Sequence, residues 1–175
     1  PTLSFTKRES GGSTYAMLAI AANDAIAVAV GDAHHHILTS PDGVTWTKRS
    51  LPIWTYLQDI VWDGSKFLVT GHSWRTSGGV AQWHNVIHTS PDGITWAERY
   101  VGVAGARLVR KLAAKPGGPA IVGGDQGFFM WSPDGISWSE VSIPALGTST
   151  VKALACSGQE FVMLTDNATV KLLTS

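Results

Sequence analysis

Residues 40–46 read Ser-Pro-Asp-Gly-Val-Thr-Trp, residues 90–96 read Ser-Pro-Asp-Gly-Ile-Thr-Trp, and residues 132–138 read Ser-Pro-Asp-Gly-Ile-Ser-Trp. Proline presets φ for the first central position of a turn, aspartate can bond the backbone just ahead of it, and glycine supplies the conformation that a tight reversal needs. A strand-like alternation of residues follows each copy. Each copy, called the repeat turn below, therefore predicts a hairpin turn between two strands.

The spacing of the repeat turns predicts the fold. The chain advances by 50 residues from Ser40 to Ser90, by 42 from Ser90 to Ser132, and by 43 from Ser132 to Ser175. A period of this length is typical of one four-stranded propeller blade. We therefore predict an all-β, single-domain β-propeller with four blades of four antiparallel strands. The blades are expected at about residues 15–49, 57–100, 108–141 and 150–175, with residues 3–8 added to the last.

The two ends of the sequence resemble two halves of one blade. Residues 3–8 resemble residues 44–49, an outgoing strand, and residues 172–175 resemble residues 37–40, an incoming strand that stops where a turn should begin. Pairing these ends within one chain would close the ring and remove its exposed edges, which is the arrangement we predict. Pairing between two chains would instead give an eight-bladed ring, and the chain could also be part of a longer propeller.

Composition excludes several classes of protein. Of the 175 residues, 44% are hydrophobic, enough for a sizeable core. Thirteen basic and thirteen acidic residues cancel, so no nucleic-acid partner is expected. No stretch has the roughly 18 consecutive apolar residues of a membrane span, so no membrane insertion is expected. The single cysteine, Cys156, excludes an internal disulfide framework and metal sites built from several thiolates.

The repeat turn resembles the Asp-box of sialidase-type propellers, Ser-x-Asp-x-Gly-x-Thr-Trp, but it is one residue shorter between Asp and Thr. It is closer to the shortened form of BNR-like repeat proteins from bacteria and bacteriophage tails, where a strand ending in Val-Gly precedes the turn, as Val30 and Gly31 do here. In that family the turn is structural. The resemblance therefore implies that the aspartates receive backbone N–H groups and that the tryptophans pack into the blade: Asp42, Trp46, Asp92, Trp96, Asp134 and Trp138.

Function is expected where the repeats differ from one another. The second period carries an insertion at residues 72–84 with a central Gly-Gly, which predicts a flexible loop. Aromatic faces stack on sugars and arginine anchors acidic groups, so the insertion is a candidate contact surface. Its tryptophans could instead only cap the blade edge. The candidate ligand-binding residues are Trp74, Arg75, Trp83 and His84 in the insertion, with Trp54 and Tyr56 in the preceding connection, which could line the same face.

Catalysis is not expected. Sialidase-type enzymes use three arginines, a Tyr–Glu pair and an acidic Asp, and the spacing of Tyr15, Tyr56 and Tyr100 supports no such site. Neither a converging carboxylate pair nor a phosphate loop, serine elbow or zinc signature is visible. Consecutive histidines at residues 34–36 cannot all face one metal in an extended strand. We therefore predict no catalytic residue, no metal and no cofactor.

The resemblance implies a non-catalytic binding or architectural module. The setting it favours is a bacteriophage tail or tail fibre, in the virion or extracellular, where the module contacts a cell-surface glycan or another virion protein. Strand exchange could also make the chain a homo-oligomer. One alternative is a secreted bacterial lectin that binds carbohydrate, and another is a glycoside hydrolase relative of the sialidase type.

Overall fold

The computed structural model describes residues 16–31, 36–105, 107–158, 160–167 and 170–174. Of Ser77 and residues 170–174 it describes the backbone only. Within these ranges the regular structure is antiparallel β, apart from one 3₁₀ turn at Pro144–Leu146. The chain is therefore all-β, as its sequence predicts.

The strands form successive sheets, each built from neighbours in the chain. The first sheet holds β1 (Met17–Ala22), β2 (Ala27–Gly31), β3 (His36–Ser40) and β4 (Thr47–Ser50). The second holds β5 (Thr55–Trp62), β6 (Phe67–Ser77), β7 (Val80–Ser90) and β8 (Ala97–Val101). The third holds β9 (Val109–Ala114), β10 (Ala120–Gly124), β11 (Phe129–Ser132) and β12 (Ser139–Glu140). In the described residues the fourth holds β13 (Val151–Cys156), β14 (Glu160–Thr165) and β15 (Val170–Thr174).

Each repeat turn is held by its aspartate. Asp92 Oδ1 accepts hydrogen bonds from the backbone N–H of Ile94 (2.8 Å) and Thr95 (2.7 Å), and Ser90 Oγ accepts one from Gly93 (2.8 Å). The corresponding bonds at Asp42 and Asp134 have the same lengths. These bonds, above all the one from the following Thr95 or Ser137, lower the pKa of Asp92 and of Asp134 to about 2.

The same bonds correct one predicted boundary. The sequence predicts that the strand after the first repeat turn begins at Val44, whereas β4 begins at Thr47. The N–H groups of Val44 and Thr45 are bound to Asp42 and so are not offered to a neighbouring strand. The turn therefore extends past its glycine.

Neighbouring sheets pack face to face through their first two strands. The first strand of each sheet lies beside that of the next, as β1 beside β5, β5 beside β9, and β9 beside β13. Ile60 of β5 and Leu112 of β9 occupy equivalent register positions, and both are buried in the core shared with the preceding sheet. A Cβ on Gly93 of the second repeat turn would lie 2.6 Å from Val28 of the first sheet. The repeat turn therefore also seals the contact between blades.

Within the described residues, the outer faces of the first and fourth sheets are not covered in this way. Ile20 is equivalent to Ile60 yet is 61% exposed, and Leu164, equivalent to the fully buried Val30, is 40% exposed. Apart from the chain neighbours of Gly43, no atom of the described residues lies within 4 Å of a Cβ built on this glycine of the first repeat turn. The strand expected at residues 3–8 lies outside the described residues, so its pairing with β15 stays a prediction.

The first strand of every sheet carries a register irregularity at the same place. The residues between the paired positions are Leu18, Gln58, Arg110 and Lys152. In the first three sheets the neighbouring strand places a glycine opposite. A Cβ there would lie 2.1 Å from a backbone carbonyl oxygen at Gly31 and 2.2 Å at Gly71 and Gly124, so only glycine permits this close approach.

Substitution of Gly124 tests this requirement. We expect Gly124→Ala to lower the free energy of unfolding by about 2 kcal/mol or more, because its Cβ would meet the carbonyl oxygen of Leu108. Gly118→Ala is the matched control, since its Cβ would make only ordinary contacts at 3.7 Å and beyond. Urea unfolding of the two variants gives the comparison. Equal stability of the two would contradict the proposed role of the glycine.

Candidate functional site

The insertion in the second period is a β-hairpin, and the prediction of a flexible loop is wrong. Strands β6 and β7 each run for 11 residues and stay paired up to Ser77 and Val80. Gly78 (φ 60°) and Gly79 (φ 82°) both lie in the left-handed region, as the two-residue turn of a tight hairpin requires. The Gly-Gly pair thus closes a continuous ladder.

Aromatic side chains gather on one face of this hairpin. Trp74 and Trp83 are directly opposed across the strands, with ring centroids 4.9 Å apart and planes at 65°. Trp83 also meets Tyr56 (5.1 Å) and His72 (5.2 Å) edge to face, and those two rings stack on each other at 5.6 Å. We call Tyr56, His72, Trp74 and Trp83 the aromatic patch.

Tyr56, which the sequence predicts to lie in the preceding connection, lies in β5, and its ring contacts Trp83, which in turn contacts Trp74. Sequence reasoning missed His72, although the signal was present: residues two apart in a strand share a face, and His72 lies two positions before Trp74. Burial is graded across the patch. His72 is 9% exposed and Trp74 45% exposed, so the patch is anchored at its base and open at its outer ring.

Trp54 provides a second exposed indole near the base of the hairpin. It lies immediately before β5, two positions from Tyr56, and is 53% exposed. Burial of an indole contributes strongly to stability, so two tryptophans that stay half in water are unusual, and such exposure is typical of contact surfaces. We refer to Trp54 and the aromatic patch jointly as the exposed aromatic surface, because Trp54 lies two positions before Tyr56 in the chain.

The other two candidate residues lie on the opposite face of the hairpin. The guanidinium of Arg75 pairs with the carboxylate of Glu98, and its Nε donates to Ser73 Oγ at 2.6 Å. His84 is buried, and its Nδ1 lies 2.8 Å from the carbonyl oxygen of Gly102. The predicted ligand-binding residues of the insertion therefore lie on two faces, because neighbouring residues in a strand point to opposite sides of the sheet. Arg75 and His84 do not join the aromatic patch.

The Arg75 face also holds a buried histidine. His88 Nε2 lies 3.5 Å from the carboxylate of Glu98. The pKa of His88 is lowered to about 4, chiefly by burial and also by the charge of Arg75, while the charge of Glu98 acts in the opposite direction. His88 is therefore neutral at pH 7, and Arg75 rather than His88 balances the charge of Glu98. These contacts tie the hairpin to β8 within the blade.

The described residues hold neither a metal cluster nor a membrane-spanning helix. Within them, no group of three or more His, Cys, Asp or Glu side chains is placed to hold a metal ion. His34 and His35 of the histidine run lie outside those residues. The same part of the chain contains no helix long and apolar enough to cross a membrane.

Comparison with known proteins identifies the fold. No family model matches the chain, and no curated protein matches it. Among solved structures, the computationally designed Ika4 protein superposes with a TM-score of 0.67 at 14% identity, covering 98% of this chain and 99% of that one. Streptogramin B lyase gives 0.69 at 14% identity, covering 98% of this chain and 59% of the lyase.

The GH43 endo-arabinanase from Bacillus licheniformis gives a TM-score of 0.53 at 13% identity, covering 95% of this chain and 73% of the enzyme. The lyase and the arabinanase are β-propellers. This chain has a β-propeller fold. Identities of this size show the fold alone, and the chain spans little more than half the length of the lyase.

Proposed function

We propose that the chain is a non-catalytic binding module whose exposed aromatic surface contacts a cell-surface glycan, in a bacteriophage tail or tail fibre. The observation that carries the proposal is the pair of half-exposed indoles, Trp54 and Trp74, on the one blade that departs from the repeat. Apolar ring faces stack on the C–H faces of sugars. The same surface would serve a secreted bacterial lectin, which is the alternative setting.

Trp74 is presented rigidly. Its ring lies against Trp83, which is itself held by Tyr56 and His72, so binding would cost little side-chain entropy. On this face of the hairpin, the next cross-strand pair toward the tip is Thr76 and Ala81, whose side chains are small, and the Trp74 ring is 45% exposed. A preorganised aromatic ring of this kind is typical of a binding surface.

Two other hypotheses predict different outcomes. A purely architectural module would use the same surface against another virion protein and bind no glycan. A glycoside hydrolase relative would turn over a polysaccharide, and arabinanases do share the propeller fold, but at 13–14% identity. We propose binding without catalysis because exposed rings suit a contact surface, whereas Arg75 of the hairpin is already paired with Glu98 of β8.

Substitution of Trp74 tests the binding proposal. We expect a glycan array to yield a ligand, and Trp74→Ala to weaken its binding about tenfold or more with little change in melting temperature, because the ring is half-exposed. Trp131→Ala on the third sheet is the matched control, since that indole is 40% exposed but outside the aromatic patch. Unchanged binding in Trp74→Ala, or an equal loss in Trp131→Ala, would contradict the proposal.

We propose further that the uncovered faces of the first and fourth sheets pack against each other as the other blades do, with residues 3–8 adding the fourth strand beside β15. Ile20 and Leu164 are equivalent to Ile60 and Val30, which lie in one core cluster, so the repeat itself predicts their contact. Packing within one chain closes a four-bladed ring. Packing between two copies closes an eight-bladed one.

Engineered cysteines distinguish these arrangements. In a Cys156→Ser background, Ile20→Cys and Leu164→Cys together should form a disulfide on mild oxidation, because the two faces meet. Mass spectrometry and non-reducing electrophoresis then report a cross-linked monomer for closure within a chain and a covalent dimer for closure by two copies. Two thiols that stay reduced and fully reactive would contradict both.

A further inference from the structure

A cavity of about 360 Å³ lies among the first strands of all four sheets. Its wall includes the four residues at the register irregularities, one from each sheet: Leu18, Gln58, Arg110 and Lys152. A bulge re-aims the side chain of its extra residue, and here each one is aimed at the same space. We call this space the inner cavity.

The inner cavity carries an excess of positive charge. In the part of the chain that the structure describes, its lining has three basic side chains, Arg110, Lys111 and Lys152, and one acidic side chain, Asp125. Arg110 is already engaged by Asp125 through two hydrogen bonds of 3.0 and 2.7 Å. Lys152 is exposed, and among the described residues of the lining no further acidic side chain remains to balance it.

Lys111 has a partial counter-charge behind the cavity wall. Its ammonium favours the ionised form of Asp59, although burial is the larger effect and raises the pKa of that carboxyl. The oxygens of Asp59 accept the backbone N–H groups of Ile60 and Leu112, both at 3.0 Å, which holds the carboxylate toward the strands. The cavity side of the wall thus remains cationic, centred on β9 and β13.

We propose that the inner cavity binds a small phosphate-bearing molecule, about the size of a sugar phosphate. Lysine ammonium groups are mobile point charges that suit phosphate oxygens, and Arg110 is oriented beside them by Asp125. The volume lies near the lower end of the range for ligand pockets, about 300–1,000 Å³. Gln58 and Leu18 on the opposite sheets offer an amide and an apolar wall to the uncharged body of the ligand.

This site is separate from the aromatic patch. The cavity lining and the patch share no residue, so loss of glycan binding at Trp74 and loss of phosphate binding at Lys152 are independent results. The two sites also differ in chemistry, because stacking on an indole is insensitive to salt whereas attraction of an anion to lysine weakens as salt rises.

Calorimetric titration of the whole chain at low ionic strength and about pH 8 tests the proposal, with glucose 6-phosphate and glucose as matched probes. We expect glucose 6-phosphate to bind at least about tenfold more tightly than glucose, with the advantage falling as salt is added. Inorganic phosphate as tight as glucose 6-phosphate would support recognition of the phosphate group itself. Equal binding of glucose and glucose 6-phosphate would overturn the proposal.

Single substitutions locate the binding. Lys152→Gln should weaken glucose 6-phosphate binding about tenfold without loss of folding, since Lys152 is exposed, and Lys111→Gln should weaken it to a lesser extent. Lys48→Gln on β4 is the matched control because Lys48 is also exposed but is not part of the cavity lining. Equal effects of Lys48→Gln and Lys152→Gln would show non-specific attraction and overturn the assignment of the site.

Discussion

The blades depend on one interaction that recurs in each repeat turn, in which a single carboxylate oxygen accepts two backbone N–H groups. In each repeat turn the aspartate holds the two residues after the glycine, at 2.7 and 2.8 Å, so the chain reverses at a fixed angle. The glycine is thereby placed against the preceding sheet, where Gly93 meets Val28 and Gly135 meets Leu68. The same local bonds therefore set both the turn within a blade and the packing between blades.

The two candidate sites are related to the repeat in different ways. The second blade keeps the repeat turn but lengthens β6 and β7, and the added cross-strand pairs carry Trp74 and Trp83 beyond the blade. In the inner cavity the backbone feature is the same in every sheet, because all four first strands carry the bulge. Only the residue at the bulge differs between sheets, from Leu18 to Lys152. A constant backbone thus presents variable chemistry.

Much of the fold could be predicted from sequence because its signals are local. Pro, Asp and Gly act within four residues of one another, and the spacing of Ser40, Ser90 and Ser132 gives the length of a blade. The bulges could not be predicted, because Gly71 and Gly124 are required by the carbonyl oxygens of residues that lie 15 and 16 positions earlier in the chain. Such an approach exists only once the sheet has formed. The candidate site could be predicted only in part. In sequence, Gly-Gly in a polar-aromatic insertion resembles a flexible linker, but the positive φ values of Gly78 and Gly79 make it a tight hairpin turn. Because strand residues alternate between faces, the predicted binding residues then lie on two different faces of the hairpin.

Native-state amide hydrogen exchange followed by NMR tests the central role of the repeat turn most directly. Thr45, Thr95 and Ser137 lie in or next to exposed turns, where amides normally exchange fast, yet each is bonded to a carboxylate. The account predicts marked and similar protection of all three amides at neutral pH. Exchange of these amides at the rate of an unstructured peptide would contradict it.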